Sequence, residues 1–308
     1  MASQLFWIGL GNMGRGMCKN LVEKGPLGGS PLLVYNRSSK RSADLAVKLG
    51  SKVKAVSSIE EGVKQADIIF TCLSNDQAVE DVYRTISALG NINGKLFADC
   101  STIHPDSTEK VAKIVTDAGA DFVASPVFGA PPMADAGQLI FVPAGPKAAV
   151  ERLRPYTTGV MGKAELPMED EPYGTASTLK IIGNTFVLNM VTQLGEGFTL
   201  AEKTGVGAAR VKKFVDGLFG GPYSAYGERM LSGAYHSMEE PLFSADNAIK
   251  DASHAEDLAK TAGMEVKNAT TAKQYLEEVA EHAGGAKGDV AAIYGAARMR
   301  AGLEYENN

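Results

Sequence analysis

Residues 4 to 14, QLFWIGLGNMG, decide the fold of this 308-residue chain. Gln4 to Leu10 is apolar enough to form a buried strand, and the glycine-rich turn Gly9 to Gly14 follows directly. Apolar residues recur at helical spacing from Met13 to Lys24, and Pro31 to Tyr35 predicts a second strand. This order of strand, glycine turn, helix and strand distinguishes a dinucleotide-binding fingerprint from a chance GxGxxG.

Each glycine of the turn has its own physical role. Gly9 permits the tight turn, Gly11 lets the backbone approach a pyrophosphate, and Gly14 lets helix and strand pack closely. The helix N-terminus then offers free N–H groups and a positive dipole end to the phosphates. We therefore expect a dinucleotide to be bound by Gly9, Leu10, Gly11, Asn12, Met13 and Gly14.

The end of the second strand favours NADP as the cofactor. An acidic residue there would accept hydrogen bonds from the ribose 2′-hydroxyl of NAD. This chain has Asn36, Arg37 and Ser38 instead, followed by Ser39-Lys40-Arg41. No carboxylate repels a 2′-phosphate, and the Arg37 guanidinium can donate two hydrogen bonds to one. The alternative is an ordinary basic helix start.

Further strands alternate with helices up to about residue 165. They are predicted at residues 51 to 55, 68 to 73, 95 to 99, 121 to 125 and 139 to 143, which indicates an α/β Rossmann-type domain with a mostly parallel sheet. Ligands gather at the carboxyl ends of parallel strands. Two such ends carry polar residues, namely Leu73-Ser74-Asn75 and Ser101-Thr102.

The composition changes after Gly174, where helical patterns dominate and no strand pattern is clear. The polar segment LPMEDEPY, residues 166 to 173, marks the expected boundary. We predict a dinucleotide-binding domain at residues 1–168. An all-helical domain for substrate and oligomerisation, at 169–308, would begin with a long interdomain helix.

That long helix carries one lysine within a strongly apolar run. Between Thr175 and Gln193 the only charged residue is Lys180, and no polar stripe follows the 3.6-residue period, so we expect burial on most sides. Ser177, Lys180 and Asn184 share one face. A structural lysine that extends its stem over apolar surface would fit the helix. A catalytic lysine in a partly apolar cleft would fit it too.

Composition excludes several classes of protein. A net charge of −5 with a pI near 5.5 argues against a nucleic-acid surface. The chain shows no CxxC, and its four histidines lack metal-ligand spacing, so no metal site is expected. Three scattered cysteines are typical of a reducing compartment, and no signal peptide is apparent before the first strand. The expected location is the cytoplasm, without a membrane partner.

Five segments in order resemble the β-hydroxyacid dehydrogenase family, which includes 3-hydroxyisobutyrate dehydrogenases and glyoxylate/succinic semialdehyde reductases. They are WIGLGNMGRGM at 7 to 17, DCSTIHP at 99 to 105, PVFGAPPMADAGQL at 126 to 139, GTASTLKIIGN at 174 to 184 and FSADNAIKDASHA at 243 to 255. Together they span most of the chain. The resemblance implies an oxidoreductase that interconverts a 3-hydroxy acid, or a related alcohol, and its aldehyde or keto form, with NADP as the cofactor.

The resemblance also implies roles for individual residues. Lys180 matches the catalytic acid/base, and Asn184 matches a residue that holds substrate or product. Lys250 and Asp251 match a pair near the nicotinamide, and Phe243 matches an aromatic residue that covers the site. Further matches are Ser101 and Thr102, beside the nicotinamide and the substrate acid group, and the cofactor loop Leu73, Ser74 and Asn75.

One segment departs from the family pattern. Where the family usually has Ser-Gly-Gly, this chain has Phe128, Gly129 and Ala130, which we assign to substrate binding. The family serine hydrogen-bonds the substrate carboxylate, whereas Phe128 offers no donor and adds bulk. A larger or more apolar carbonyl compound is therefore plausible as the substrate.

Two other functions fit the same fold. Imine reductases and reductive aminases resemble this family, but they generally lack the lysine. A cofactor-binding interaction protein would have lost it as well. Because this chain retains Lys180 and Asn184, the dehydrogenase reading is favoured over both. The apolar helix needs two neighbours, which favours a homodimer and leaves a homotetramer open.

Overall fold

A computed structural model describes residues 2–307. Within these residues the first unit, which extends to Lys180, contains all the strands, and the second begins at Ile181. The observed division therefore falls inside a long helix, whereas the sequence placed the domain boundary between residues 168 and 169. The α/β fold class with an all-helical C-terminal part is confirmed.

The strands of the first unit form a large sheet and a small one within the described residues. In chain order they are β1 Leu5–Ile8, β2 Leu32–Tyr35, β3 Val53–Ala55, β4 Ile68–Thr71, β5 Leu96–Asp99, β6 Asp121–Ala124, β7 Val127–Phe128, β8 Leu139–Phe141, β9 Ala144–Gly145, β10 Gly162–Glu165 and β11 Met168–Glu169. The large sheet has the order β11-β9-β6-β5-β4-β1-β2-β3, and β10-β8-β7 form the small sheet. Four of these strands, β7, β9, β10 and β11, were not predicted, because runs of two to four residues carry no readable period.

The helices account for the rest of the regular structure. They are α1 Asn12–Lys24, α2 Ser39–Leu49, α3 Ile59–Gln65, α4 Asp76–Ser87, α5 Pro105–Asp117, α6 Pro131–Ala136, α7 Lys147–Leu153, α8 Tyr173–Lys203, α9 Ala208–Leu218, α10 Gly221–Leu231, α11 Ala234–Ser237, α12 Ala245–Thr261, α13 Lys267–Ala283 and α14 Ile293–Arg300. Short 3₁₀ turns lie at Gly50–Lys52, Arg154–Tyr156 and Val290–Ala292.

Strand β1 lies at the centre of the large sheet, between β4 and β2, and pairs in parallel with both. All four of its residues are buried, since helices cover both faces of such a sheet. Leu5 and Trp7 pack into one core cluster, whereas Phe6 and Ile8 pack into the other. Connections leave β1 and β4 in opposite directions, so a ligand crevice is expected at their carboxyl ends.

Helix α8 is buried along part of its surface only. Ala176, Ile181 and Leu188 are fully buried, but Phe186 is 73% exposed, and Ile182 and Leu200 are exposed as well. In the single chain the face that carries Phe186 is therefore open, and burial on most sides stays a prediction that requires a second subunit. Apolar periodicity alone could not show which stretch of the surface would stay open.

Candidate active site

The glycine turn joins β1 to α1 at the carboxyl edge of the sheet. A Cβ atom at Gly9, where φ is +101°, would lie 2.2 Å from the Cys72 carbonyl oxygen, and one at Gly14 would lie 2.2 Å from the Gly9 oxygen. Gly11 has open space around it and caps α1 without a side-chain hydrogen bond. Gly9 and Gly14 therefore require glycine, whereas the open space at Gly11 leaves the N–H groups that begin α1 accessible to a pyrophosphate.

Asn36 and the basic residues after β2 lie beside this turn. The Leu10 N–H donates to Asn36 Oδ1 at 2.9 Å, so the asparagine ties the end of β2 to the glycine turn. Arg37 and Ser38 are exposed, and Arg41 Nη1 lies 3.5 Å from the Leu10 carbonyl oxygen. Cationic groups thus stand at the position where the adenosine ribose of a dinucleotide is held in this fold.

A buried hydrogen-bond network joins the ends of β4 and β5. Asp99 Oδ1 accepts from Thr71 Oγ1 at 2.6 Å and from Ser101 Oγ at 2.7 Å. The Leu73 N–H in turn donates to Ser101 Oγ at 2.9 Å. The predicted cofactor loop after β4 and the predicted substrate residues after β5 are therefore held together, and Asn75 begins α4 by capping the Ala78 N–H.

Asp99 is the central residue of this network, and we did not identify it from the sequence. Burial raises the pKa of its carboxyl group to about 6, and the hydrogen bonds from Thr71 and Ser101 oppose that rise. Its position at the carboxyl end of a buried strand was the available signal, since ligands and unusual polar groups collect there.

The first part of α8 positions Lys180. The Gly174 N–H donates to Glu109 at 2.7 Å, Ser177 shares a 2.7 Å hydrogen bond with Thr108, and Ala176 is fully buried in the core. These contacts fix the helix to α5, so the side chain of Lys180 has a defined direction. It is 8% exposed.

The ammonium group of Lys180 lies over the ring of Phe128, with Nζ 4.7 Å from the ring centroid. A cation at this distance from an aromatic face is attracted by the ring quadrupole. Lys180 and Asp99 also both act electrostatically on the Cys72 thiol, whose pKa is raised to about 12 mainly by burial. The structure thus brings Lys180, Phe128 and the Asp99 network into one neighbourhood of the first unit.

A second polar cluster lies within the helical unit. Asn184 Nδ2 donates to Asp251 Oδ2 at 2.6 Å, and Lys250 Nζ lies 2.7 Å from Asp251 Oδ1. Asn184 and Asp251 are buried. The predicted residues Asn184, Lys250 and Asp251 therefore form a single hydrogen-bonded group, and Asn184 is one helical turn after Lys180 in the continuous helix α8.

The remaining predicted residues lie as follows. Phe243 is partly buried against the core of the helical unit, and its N–H donates to Asp289 at 3.2 Å. Gly129 has φ +138°, with Leu139 and Met133 nearest to it, and Ala130 begins α6. Thr102 is half-buried beside Ser101.

Among residues 2–307 no group of three or more His, Cys, Asp or Glu could hold a metal ion, and no helix is long and apolar enough to cross a membrane.

Two protein families match this chain in sequence. Residues 4–165 match the NAD binding domain of 6-phosphogluconate dehydrogenase, and residues 174–297 match the NAD-binding domain of NADP-dependent 3-hydroxyisobutyrate dehydrogenase. The two matches follow each other in the order expected from the fold.

Individual relatives agree with these matches. The NADH-dependent oxidoreductase ucdB of Aspergillus ustus is 34% identical over 95% of this chain and 98% of its own. Glyoxylate/succinic semialdehyde reductase 2, chloroplastic, of Arabidopsis thaliana is 30% identical over 93% of this chain and 77% of its own. The fold is shared with the 3-hydroxyisobutyrate dehydrogenase of Mycobacterium tuberculosis, at a TM-score of 0.77 and 24% identity over 96% of this chain and 98% of that one. The chain belongs to the β-hydroxyacid dehydrogenase family of NAD(P)-binding oxidoreductases, which act on CH–OH groups.

Proposed function

We propose that this protein is an NADP(H)-dependent oxidoreductase that interconverts a 3-hydroxy acid, or a related alcohol, and its aldehyde or keto form, with Lys180 as the general acid/base. The observation that carries the proposal is the placement of Lys180. Its side chain is buried beside Phe128, in the same unit as the glycine turn and one helical turn before Asn184.

The proposed chemistry assigns one task to each polar group. NADPH, when bound at the glycine turn, would supply the hydride, and a proton donor would then be needed at the carbonyl oxygen. Lys180 Nζ donates a proton to that oxygen during reduction and accepts the alcohol proton during oxidation. Asn184, which Asp251 holds by a 2.6 Å hydrogen bond, orients the same oxygen. We also assign Ser101, Thr102, Gly129 and Ala130 to the substrate, and the resemblance assigns Phe243 to it as well.

Replacing the lysine tests the proposal. We expect Lys180→Ala to lower kcat by about 10²- to 10⁴-fold, the range for loss of a general acid, while the affinity for NADPH stays unchanged. Lys203→Ala is the matched control, because Lys203 is exposed near the end of the same helix. Turnover of Lys180→Ala close to that of the wild type would rule out the assignment. The assay should include cyclic imines, because turnover of imines alone would identify an imine reductase instead.

The preference for NADP rests on Arg37. It is exposed after β2, and the second matched family is described as NADP-dependent. The Aspergillus relative is named NADH-dependent, so the preference requires a direct test. We expect Arg37→Asp to weaken NADPH binding about ten- to a hundredfold, because a charge-assisted contact is lost, and NADH binding much less. Lys48→Asp, at the far end of α2, is the control. Equal losses for both cofactors would exclude contact with the 2′-phosphate.

We propose a homodimer as the working assembly. Several apolar side chains are exposed on the helical unit, namely Phe186, Leu200, Phe214, Leu218 and Phe219, and burying them against a second copy would be favourable. The measured mass in solution should be twice that of the chain, whereas a monomer would contradict the proposal and four copies would indicate the tetramer.

The cytoplasm stays the proposed location, although the Arabidopsis relative is named chloroplastic.

A further inference from the structure

We propose that the substrate of this enzyme is a neutral carbonyl compound whose apolar substituent packs against Phe128, and not a compound with a carboxylate at that position. This inference rests on the proposed function, because it concerns the substrate of the same reaction. It follows from the groups that face this side of the site in the first unit. Neither Phe128 nor Ser101 can give an anion the hydrogen bonds that would replace its water.

Phe128 is the first of these groups. Its ring is half-buried, packs against the core and lies beneath the Lys180 ammonium at 4.7 Å. A benzyl group offers no hydrogen bond to a carboxylate, and removing a carboxylate from water without partners costs several kcal/mol. The same ring face attracts the Lys180 ammonium group, so the ring lies directly beside the proposed proton donor.

Ser101 is the second group, and its single hydroxyl proton is already in use. Ser101 Oγ donates to Asp99 at 2.7 Å and accepts from the Leu73 N–H at 2.9 Å. A serine hydroxyl has only one hydrogen to donate. An acid substrate would have to displace this hydrogen from a buried carboxylate while bringing a second negative charge toward it. We infer that the Ser101 hydroxyl organises the loops and does not bind an acid group.

Apolar side chains pack against the same core cluster as Phe128. Leu73 and Leu179 are among them, and both are partly buried. Gly129, the next residue, packs closely against apolar side chains, because a Cβ atom there would lie 2.6 Å from Leu139 and 3.3 Å from Met133. Burying an apolar substituent against these side chains removes apolar surface from water, which favours its binding.

The inference is tested with two aldehydes that differ at one end only. Both 3-phenylpropanal and succinic semialdehyde have an aldehyde and a two-carbon spacer, and a phenyl group in one replaces the carboxylate of the other. We expect the wild-type enzyme to show a kcat/KM for 3-phenylpropanal at least about tenfold higher, mainly through KM. A preference for succinic semialdehyde would overturn the inference.

Two variants of residue 128 sharpen the test. Phe128→Ser restores a hydroxyl donor and should lower the preference for 3-phenylpropanal by about tenfold or more. Phe128→Leu keeps an apolar side chain and should retain the preference for the neutral aldehyde. Unchanged NADPH affinity in both variants shows that they are folded. If the ratio of kcat/KM for the two aldehydes is unchanged in Phe128→Ser, residue 128 does not face the substrate. That result would also overturn the inference.

A binding measurement separates this inference from the proposed function. The unreactive amides 3-phenylpropanamide and succinamate can be titrated against the enzyme in the presence of NADPH, with cofactor fluorescence as the readout. Tighter binding of 3-phenylpropanamide supports the inference even if no aldehyde is reduced, in which case only the proposed reaction fails. Tighter binding of succinamate overturns the inference whatever the turnover.

Discussion

Two buried carboxylates, one in each unit, are held in different ways. Asp99 in the α/β unit is bound by the hydroxyl groups of Thr71 and Ser101. Asp251 in the helical unit is bound by the ammonium group of Lys250 and the amide of Asn184. The side chains of both are almost completely buried. The two carboxylates therefore share their depth of burial and differ in the groups that hold them.

The difference shows what each carboxylate contributes. Hydroxyl donors do not fully replace water, so burial still raises the pKa of Asp99 to about 6. Its ionised form is a cost to the folded protein above that pH. Asp251 has a cation 2.7 Å away, so its removal would leave a partly buried positive charge. We expect Asp251 to stabilise the fold and Asp99 to make its stability depend on pH.

The largest effect is expected from Asp251→Ala. The substitution removes one partner of the Lys250 ammonium and one acceptor of the Asn184 amide, so the free energy of unfolding should fall by about 2–3 kcal/mol, as for hydrogen bonds to charged groups. The measurement is urea denaturation, and Asp257→Ala, at an exposed position of the same helix, is the control. A loss no greater than that of the control would mean that the ion pair contributes nothing.

Asp99→Asn should act in the opposite direction, and its effect should grow as the pH rises from 3.8 through about 6. In the wild type the folded pKa, about 6, exceeds the unfolded value, 3.8, so the folded protein binds more protons between these values and loses stability as the pH rises. The asparagine variant lacks this loss. Its stability relative to the wild type should rise by on the order of 1–2 kcal/mol between pH 5 and pH 8. If the stabilities of the wild type and of Asp99→Asn change equally with pH, Asp99 does not titrate in this range.

The smallest effect is expected from Thr71→Val. Valine removes one hydrogen bond to Asp99 and the partner of the Tyr83 hydroxyl, and we expect a loss of about 1–2 kcal/mol. The pH at which the stability changes should also move upward, because the threonine hydrogen bond lowers the pKa of Asp99. Thr199→Val is the control, since the Thr199 hydroxyl bonds only to the carbonyl of Gly195 on its own helix. If both variants lose the same stability and show the same pH dependence, Thr71 does not influence the titration of Asp99.

Much of the α/β unit could be predicted from the chain. The apolar strand before Gly9 and the spacing of the three glycines are local features, and the structure gives two of them a steric reason, at Gly9 and Gly14. Strand boundaries were accurate to a few residues for the central strands, because fully buried parallel strands are continuous apolar runs. The short strands β10 and β11 could not be predicted, since their pairing depends on distant partners.

Only part of the candidate site could be predicted from the sequence. Asn184, Lys250 and Asp251 were predicted separately, and only the folded helices show that they bond to one another. The Asp99 network was missed because it links side chains from two strands that are neighbours in the sheet and 28 residues apart in the chain.

The sequence by itself determined the family, the nucleotide fold and the lysine on which the proposed reaction depends. These follow from spacing and residue type within short segments, which act through local geometry. Only the tertiary structure decided that Phe128 lies under the Lys180 ammonium and that the Ser101 proton is taken by Asp99. Those contacts join residues from different elements, and electrostatics at such short distances depends on where each atom lies in space, which the order of residues does not state.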